Sequence, residues 1–386
     1  MFRKANEIQS QMVTWRRDIH MHPELGFEEQ RTPALIAEIM EGFGYRVRTN
    51  VGKTGLVAEL GDGKPIVAIR ADMDALPIQE ANQVPYKSKT DGVMHACGHD
   101  AHVAIAMGTA KLLADEDFSG TIRFLFQPAE ETDDGESSGA PRMIEDGAME
   151  DVDTILALHV DASTPTGEIE VATEFASAGV DTLYATIIGQ GGHGSAPHTV
   201  IDPIFISGHV ILALHGIVSR QLKPSDPAVI SIGSINGGVA DNVIPEKVEM
   251  LGTIRFFTTD VQEKLHNEIK KAMEISRTLG GDYKMNIDVG YPPMHNHPDI
   301  VGLVKKVAGE LLGEDKINKP EPDMGAEDFG YFLQKAPGAM FMLGCEIEGD
   351  TRRHHDPKFE IDEECFPIGA AILSESALRL LGKSKG

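Results

Sequence analysis

The sequence predicts an α/β protein: a three-layer α/β unit interrupted by a ferredoxin-like α+β insert. Three observations carry this reading. Helical periodicity alternates with short apolar strands over residues 1–178 and again over 294–386. The middle, residues 179–293, reads β-α-β-β-α-β, the ferredoxin-like order. Clusters of His, Cys, Asp and Glu fall repeatedly at the ends of apolar strands, where an α/β sheet gathers side chains into one crevice.

The elements follow in order. Ile8, Met12, Trp15 and Ile19 stand at helical spacing over residues 5–19, and Leu35, Ile36, Ile39 and Met40 do so from Thr32 to Gly42. Short strands are expected at Tyr45–Asn50, Gly55–Leu60 and Pro65–Ala71. The last, in PIVAIRAD, is an apolar run with charge at its tip, as a buried strand delivering polar groups should be. His99–Ala114 reads as a helix with Val103, Met107, Ala110 and Leu113 inward. TIRFLFQP, DTILALHV and GEIEVAT read as strands. In the middle, strands are expected at Val180–Gly189, Ala228–Ile235, Val248–Phe257 and Tyr283–Tyr291. Helices are expected at Asp202–Gln221 and Thr259–Leu279. The strand GAMFMLG lies in the last part of the chain.

Composition narrows the function. The chain has 386 residues and a formal net charge of −25. Such a charge argues against a nucleic-acid partner, because little basic surface is on hand to replace phosphate counterions. An anionic substrate would need its own local Arg or His. No apolar run reaches the ~18–20 residues of a membrane span, and the N-terminus has no continuous apolar core of a secretory signal. A cytoplasmic protein with no membrane partner is expected. Cys97, Cys345 and Cys365 are far apart in sequence, so a disulfide framework is not expected.

Five clusters carry the chemistry: RADMDALP at 70–77, MHACGHDAH at 94–102, QPAEE at 127–131, LALHVD at 156–161 and HHDPKF at 354–359. Thiol, imidazole and carboxylate groups converging on a crevice are the ingredients of a transition-metal site. Cys97 and His99, two apart, can reach one point from a turn. Glu130 and Glu131 point opposite ways in an extended segment, so both serve one site only if the strand has ended. One can bind metal while the other handles protons, a division suited to metal-assisted hydrolysis. Taken singly, each group also suits an ordinary role. Cys97 could be a buried small hydrophobe, His159 structural, Glu130–Glu131 a solvated turn, Asp72 and Asp74 turn caps, and His354–His355 loop residues. The coincidence of all five is what favours a metal site. In the middle, GQGGHGSAPH and GGVADNVIP are Gly-rich loops holding His193 and Asn242, and Arg255 lies on the strand MLGTIRFF. These read either as ordinary turns or as a lid contacting a carbonyl and a carboxylate. GQGG lacks the Lys-Ser/Thr of a phosphate loop.

With RADMDALPI, MHACGHDAH, FQPAEE, GGHGSAPH, GGVADNVIP, GAEDFGYF and HHDPKF in this order, the chain resembles the amidohydrolase branch of the di-metal aminoacylase/carboxypeptidase family. The resemblance implies a catalytic α/β domain at 1–178 and 294–386 and an inserted ferredoxin-like lid and dimerisation domain at 179–293. It implies two divalent ions per subunit, manganese or zinc, with cobalt or nickel as further options. By motif position the ligands are Cys97, His99, Glu131, His159 and His355. Glu130 is the general base, and Asp74 orients a ligand or tunes the base. His193 steadies the oxyanion, and Asn242 and Arg255 hold the substrate carboxylate or amide. The expected reaction is hydrolysis of N-acyl amino acids by a homodimer joined through the lid. The alternative is a carboxypeptidase or dipeptidase of the same family. The acidic stretch TDDGESSG at 132–139 is longer than this branch's pattern, and HHDP has a His where an apolar residue is usual. Asp100 and His102 are expected behind the ligands as support.

Overall fold

The computed structural model describes the chain except residues 132–137, 174, 321–323, 350–351 and 383–386. Of the acidic stretch TDDGESSG, only Ser138 and Gly139 fall within the described residues. The fold is α/β, with two compact units. One comprises Met1–Ala176, His295–Glu321 and Tyr331–Gly386; the other comprises Ser177–Met294 and Pro322–Gly330. The short return of 322–330 differs from the expected boundaries. It is held by local pairing: Ala178 donates its N–H to the Gly325 carbonyl at 2.8 Å, and the Ser177 hydroxyl donates to the same oxygen at 2.9 Å.

The first unit opens with α1 (Phe2–Glu7), α2 (Gln9–His20) and α3 (Arg31–Gly42), followed by β1 (Arg46–Val51), β2 (Gly55–Asp62) and β3 (Ile66–Asp72). Then come α4 (His99–Ala114), β4 (Gly120–Gln127), α5 (Gly139–Glu145), β5 (Thr154–Pro165) and the two-residue β6 (Ile169–Glu170). The expected N-terminal helix is thus divided at Ile8, and the expected strand GEIEVAT shrinks to Ile169–Glu170. The second unit supplies β7 (Gly179–Ile188), β8 (Gly192–His193), α6 (Pro203–Gln221), β9 (Ala228–Asn236), β10 (Val243–Ile244), β11 (Lys247–Phe256), α7 (Thr259–Met273), α8 (Ile275–Thr278) and β12 (Asp282–Val289). The chain continues through α9 (Pro298–Leu312), β13 (Ile317–Asn318), α10 (Phe329–Leu333), β14 (Gly338–Glu346) and α11 (Phe366–Leu380).

An eight-stranded mixed sheet of order β1-β2-β4-β3-β5-β14-β6-β13 centres the first unit. β3 pairs in parallel with β4 and β5, and β5 pairs in parallel with β14. Parallel strands need helical crossovers, which cover the sheet, so their sequences are apolar throughout rather than alternating. β3 is buried from Val67 to Asp72 for this reason. The same covering explains α4. Its sequence suggests one apolar stripe, yet all but Lys111 and Ala114 are buried, because it packs against β3, α2 and α11.

α2 also contributes a buried cation. Arg16 is fully buried and donates from Nε to Asp100 at 2.8 Å, and its Nη1 lies 2.9 Å from Glu360 and 3.3 Å from Glu363. His20 Nδ1 stands 2.7 Å from the same Asp100 oxygen. Burial opposes ionisation of Asp100, but Arg16 and His20 outweigh it and hold the carboxyl far below the ordinary range. The cluster ties α2, the start of α4 and the segment before α11 to one guanidinium.

In the second unit the antiparallel sheet runs β12-β7-β11-β9, with α6 and α7 packed against it. The β-α-β-β-α-β order expected of residues 179–293 is present, with the short β8 and β10 pairing as a separate two-stranded ribbon. One face of the large sheet is buried, so β11 alternates strictly: Val248, Met250, Gly252, Ile254 and Phe256 point into the core. Asp202 caps α6 by accepting from Ile204 and Phe205, ahead of Pro203 in its first turn. α6 has the length and apolar composition of a membrane span. It nevertheless buries Ile206, Val210, Leu214 and Ile217 in the core of this unit.

Replacing Arg16 with Met leaves Asp100, Glu360 and Glu363 without their shared cation. The variant is expected to lose about 3–5 kcal/mol of unfolding free energy. Chemical denaturation would register this as a lower midpoint at unchanged slope.

Candidate metal centre

The carboxyl ends of β3, β4, β5 and β14 share one edge of the sheet, because these strands are parallel: Asp72 stands opposite Gln127, and His159 opposite Met342. The loops leaving β3 and β4, the turn into α4, the middle of β5 and the loop after β14 carry the first-unit candidate residues; β5 runs on to Pro165, so His159 lies within the strand rather than at its expected end. Gly98 makes the turn possible. It takes φ +92°, and a Cβ there would stand 2.3 Å from Val160 Cγ2. This places Cys97 just before α4 and His99 at its first residue.

Two sets of donors result. The ligand atoms of Cys97, His99 and His159 lie within 4.8 Å of one another, as do those of Cys97, Glu131 and His355. Cys97 belongs to both. His99, Glu130 and Glu131 form a third such group, so Glu130 lies beside the donors without belonging to either set with Cys97. Cys97 Sγ is 3.6 Å from His159 Nε2, and His355 Nε2 is 2.9 Å from Glu131 Oε1. All six first-unit residues expected as ligands or base are thus brought together.

The surrounding hydrogen bonds orient these donors. His99 Nδ1 donates to Asp74, 3.0 Å from its carbonyl and 3.2 Å from Oδ1. Its Nε2 is left buried with no hydrogen-bond partner among the described residues. His159 Nδ1 donates to the Val160 carbonyl at 2.7 Å, which directs its Nε2 lone pair toward Cys97. Asp74 Oδ2 accepts the Glu131 N–H at 2.9 Å, so one carboxylate positions two candidate ligands. His102 differs. Its Nδ1 lies 2.6 Å from Asp72 and its Nε2 accepts the Val160 N–H at 2.9 Å, so both nitrogens are engaged. Asp72 is held in turn by Arg70 at 2.6 Å, and Arg70 donates to Gln127 at 2.8 Å. The supporting roles of Arg70 and Gln127 escaped the sequence reading. Their only signal was their place in the motifs RADMDALP and QPAEE. His354 packs its ring 5.3 Å from that of His159 and 4.9 Å from that of Phe359.

The electrostatics suit a cation. Burial pushes the Cys97 thiol well up, and Glu131 and Glu130 push it further. A thiolate there needs a positive charge beside it. Burial disfavours the His99 imidazolium, but Asp72, Asp74 and Glu131 outweigh it and push the group up to about 10. Burial, with His102 and His354 nearby, holds His159 neutral. His355 is raised by its hydrogen bond to Glu131. A buried imidazole nitrogen lacking a partner, a thiol that cannot ionise unaided and excess carboxylate together fit divalent metal ions.

The other candidates lie in the second unit. His193 in β8 pairs with Val243 in β10, next to Asn242, whose carbonyl accepts the Gly194 N–H at 2.8 Å. The ribbon therefore brings His193 and Asn242 side by side. His193 is exposed, and its Nδ1 accepts the Ser195 N–H at 3.1 Å, which leaves the proton on Nε2. Arg255 lies apart on β11, half-buried, with Nε donating to Thr253 Oγ1 at 3.1 Å.

Oriented imidazoles, a buried thiol and two adjacent glutamates on a sheet edge define a metal-dependent hydrolase. The chain belongs to the peptidase family M20/M25/M40, whose model matches residues 68–379. It is 41% identical over 389 residues to thermostable carboxypeptidase 2 of Saccharolobus solfataricus, with 98% of each chain covered. It is 37% identical over 387 residues to N-acetyl-L-cysteine deacetylase of Bacillus subtilis, covering 98% of this chain and 90% of that protein. A crystal structure of a dinuclear metal-binding peptidase from Bacillus subtilis superposes with a TM-score of 0.85 at 32% identity, covering 98% of this chain and 100% of that one.

With Cys97, His99 and His355 as ligands, metal loading should release protons, because each must give up a proton to bind. The raised positions of these groups fix the sign: affinity weakens as pH falls and tightens as pH rises. Calorimetric titration of metal-stripped protein in two buffers of different ionisation enthalpy measures the protons released. No proton release would contradict this account of the donors.

Proposed function

We propose that the protein hydrolyses the amide bond of N-acyl amino acids to a carboxylic acid and a free amino acid, using two divalent ions. The observation carrying this reading is the pair of donor sets that share Cys97, with Glu130 beside them. Cys97, His99 and His159 would hold one ion, and Cys97, Glu131 and His355 could serve the other. The mixed thiolate, imidazole and carboxylate set suits zinc or manganese, with cobalt or nickel as substitutes. When bound, the ions supply Lewis acidity and a water acidic enough to lose its proton near neutrality.

The remaining steps belong to the chain's own residues. Glu130 takes the water proton and delivers it to the leaving amide nitrogen. Asp74 keeps His99 and Glu131 oriented while this happens. His193, protonated on Nε2, is assigned to the substrate carbonyl oxygen, where negative charge develops. Asn242 and Arg255 are assigned to the substrate carboxylate or amide. Deacylation is supported by the N-acetyl-L-cysteine deacetylase relative. A second reading, cleavage of short peptides, is supported by the carboxypeptidase relative and uses the same chemistry.

We further assign a homodimer joined through the second unit. α6 exposes Ile204, Phe205 and Leu212, the last 74% accessible, and β9 is an edge strand exposing Ile235. Apolar exposure of this kind marks an interaction surface. A cytoplasmic location completes the reading, supported by three free buried cysteines.

The test is release of free amino acid from N-acetyl- and N-benzoyl-amino acids beside unblocked dipeptides, with metal-stripped and metal-restored protein. Metal-restored turnover of the blocked substrates is expected, and turnover confined to dipeptides would move the assignment to peptidase. Glu130→Gln should keep both metals and lose about 10²–10⁴-fold in kcat. For the dimer, Leu212→Asp should halve the mass measured by light scattering while leaving circular dichroism unchanged.

A further inference from the structure

Glu130 follows a backbone that is held in an unusual way. Ala129 takes φ +49°, in the left-handed region that non-glycine residues rarely adopt. Such a conformation persists only where its surroundings hold it. Here the Ala129 carbonyl accepts the Gly139 N–H at 3.0 Å. Its N–H donates at 3.0 Å to Oε1 of Glu29, a residue 100 positions earlier in the chain. Glu29 is only 1% exposed, and its other oxygen accepts the Thr54 hydroxyl at 2.5 Å. On the far side of Glu130, the Glu131 N–H donates to Asp74 at 2.9 Å. The amides preceding and following Glu130 are therefore each held by a buried carboxyl group.

We propose that Glu29 is a positioning residue for Glu130: by fixing the Ala129 amide from the N-terminal segment, it aims the neighbouring carboxylate at the water it must deprotonate. This rests on Glu130 being the general base. Glu29 lies outside the segment matched by the family model, which begins at residue 68. The segment around it reaches other parts of the centre too. The Glu24 carbonyl accepts the Ala75 N–H at 2.8 Å, beside Asp74.

What Glu29 supplies to the Ala129 amide is an acceptor, which the carboxylate and the neutral acid both offer. Burial, chiefly, pushes its carboxyl up to about 7, with Asp74 adding to the shift. In the neutral form Oε1 can still accept from Ala129, while the acid proton turns to Thr54. Gln can make the same pair of contacts. Leu can make neither, and it leaves the Ala129 amide buried and unpaired.

The test compares Glu29→Leu, Glu29→Gln, Thr54→Val and Glu130→Gln in metal-loaded protein, reading kcat, KM, bound metal and thermal unfolding. Misplacing a reacting group by about 1 Å can cost about 10²-fold. Glu29→Leu should accordingly lower kcat about 10–100-fold, with KM within about twofold and two metals retained. Glu29→Gln should restore kcat to within about threefold of the parent. Thr54→Val, which removes the hydroxyl that holds Glu29 Oε2, should lower kcat about two- to fivefold. The proposal is overturned if Glu29→Leu keeps the parental kcat, if Glu29→Gln falls as far as Glu29→Leu, or if activity is lost only in step with metal. Should Glu29→Leu fail to fold, an unchanged kcat in Thr54→Val overturns it instead. Glu130→Gln separates the two readings. Full activity there refutes the base assignment, whereas its loss beside a fully active Glu29→Leu refutes only the positioning role.

Discussion

The parallel pairing of β3 with β4 and β5, and of β5 with β14, is the constraint on which the site depends. Four neighbouring strands ending on one edge bring together loops that are far apart in sequence. The helices that make such pairing possible also bury the sheet, so the site's polar groups emerge chiefly where strands stop, with His159 projecting from within β5. The adjacent Glu130 and Glu131 act at one place because β4 has already ended at Gln127. In an extended strand their side chains would have faced opposite ways.

Concentrating charge in that place has a cost that the fold meets with hydrogen bonds. Asp72, Asp74, Glu130 and Glu131 are gathered around imidazoles and one thiol. Asp72 is neutralised by Arg70 and hydrogen-bonded by the neutral His102, and Asp74 is occupied by His99 and the Glu131 amide. What remains is a donor set whose preferred protonation states conflict in the absence of a cation. Cys97 stays protonated, while Glu131 is held ionised by His355 and His99 against the effect of burial. Divalent ions held there would resolve the conflict by stabilising every donor in its deprotonated form at once. A buried polar cluster this dense specifies its own geometry, since any unsatisfied member is expensive.

The second unit is governed by different physics. Its sheet has one buried face, so its strands alternate and their sequence order is legible from periodicity. Its longest helix, α6, is apolar around most of its circumference, yet only one side meets the core. The same composition suits a membrane span by length. The Asp202 cap, the buried stripe and the exposed Ile204, Phe205 and Leu212 are instead those of a surface helix with an apolar outer face.

Local pattern by itself determined the α/β alternation, the β-α-β-β-α-β order of the middle segment and the donor clusters at strand ends. These properties depend on residues close in sequence, where periodicity and turn chemistry act. The buried character of α4 was only half legible, because a stripe of larger apolar residues does not reveal that helices and sheet enclose the alanines as well. Tertiary structure alone decided which atoms meet. Arg16 reaches Asp100 across 84 residues, and Glu29 reaches Ala129 across 100. Neither has a periodic or motif signature, because each contact is selected by the geometry of buried surfaces, and a charged residue in a helix or loop looks like a solvated one until the fold closes over it.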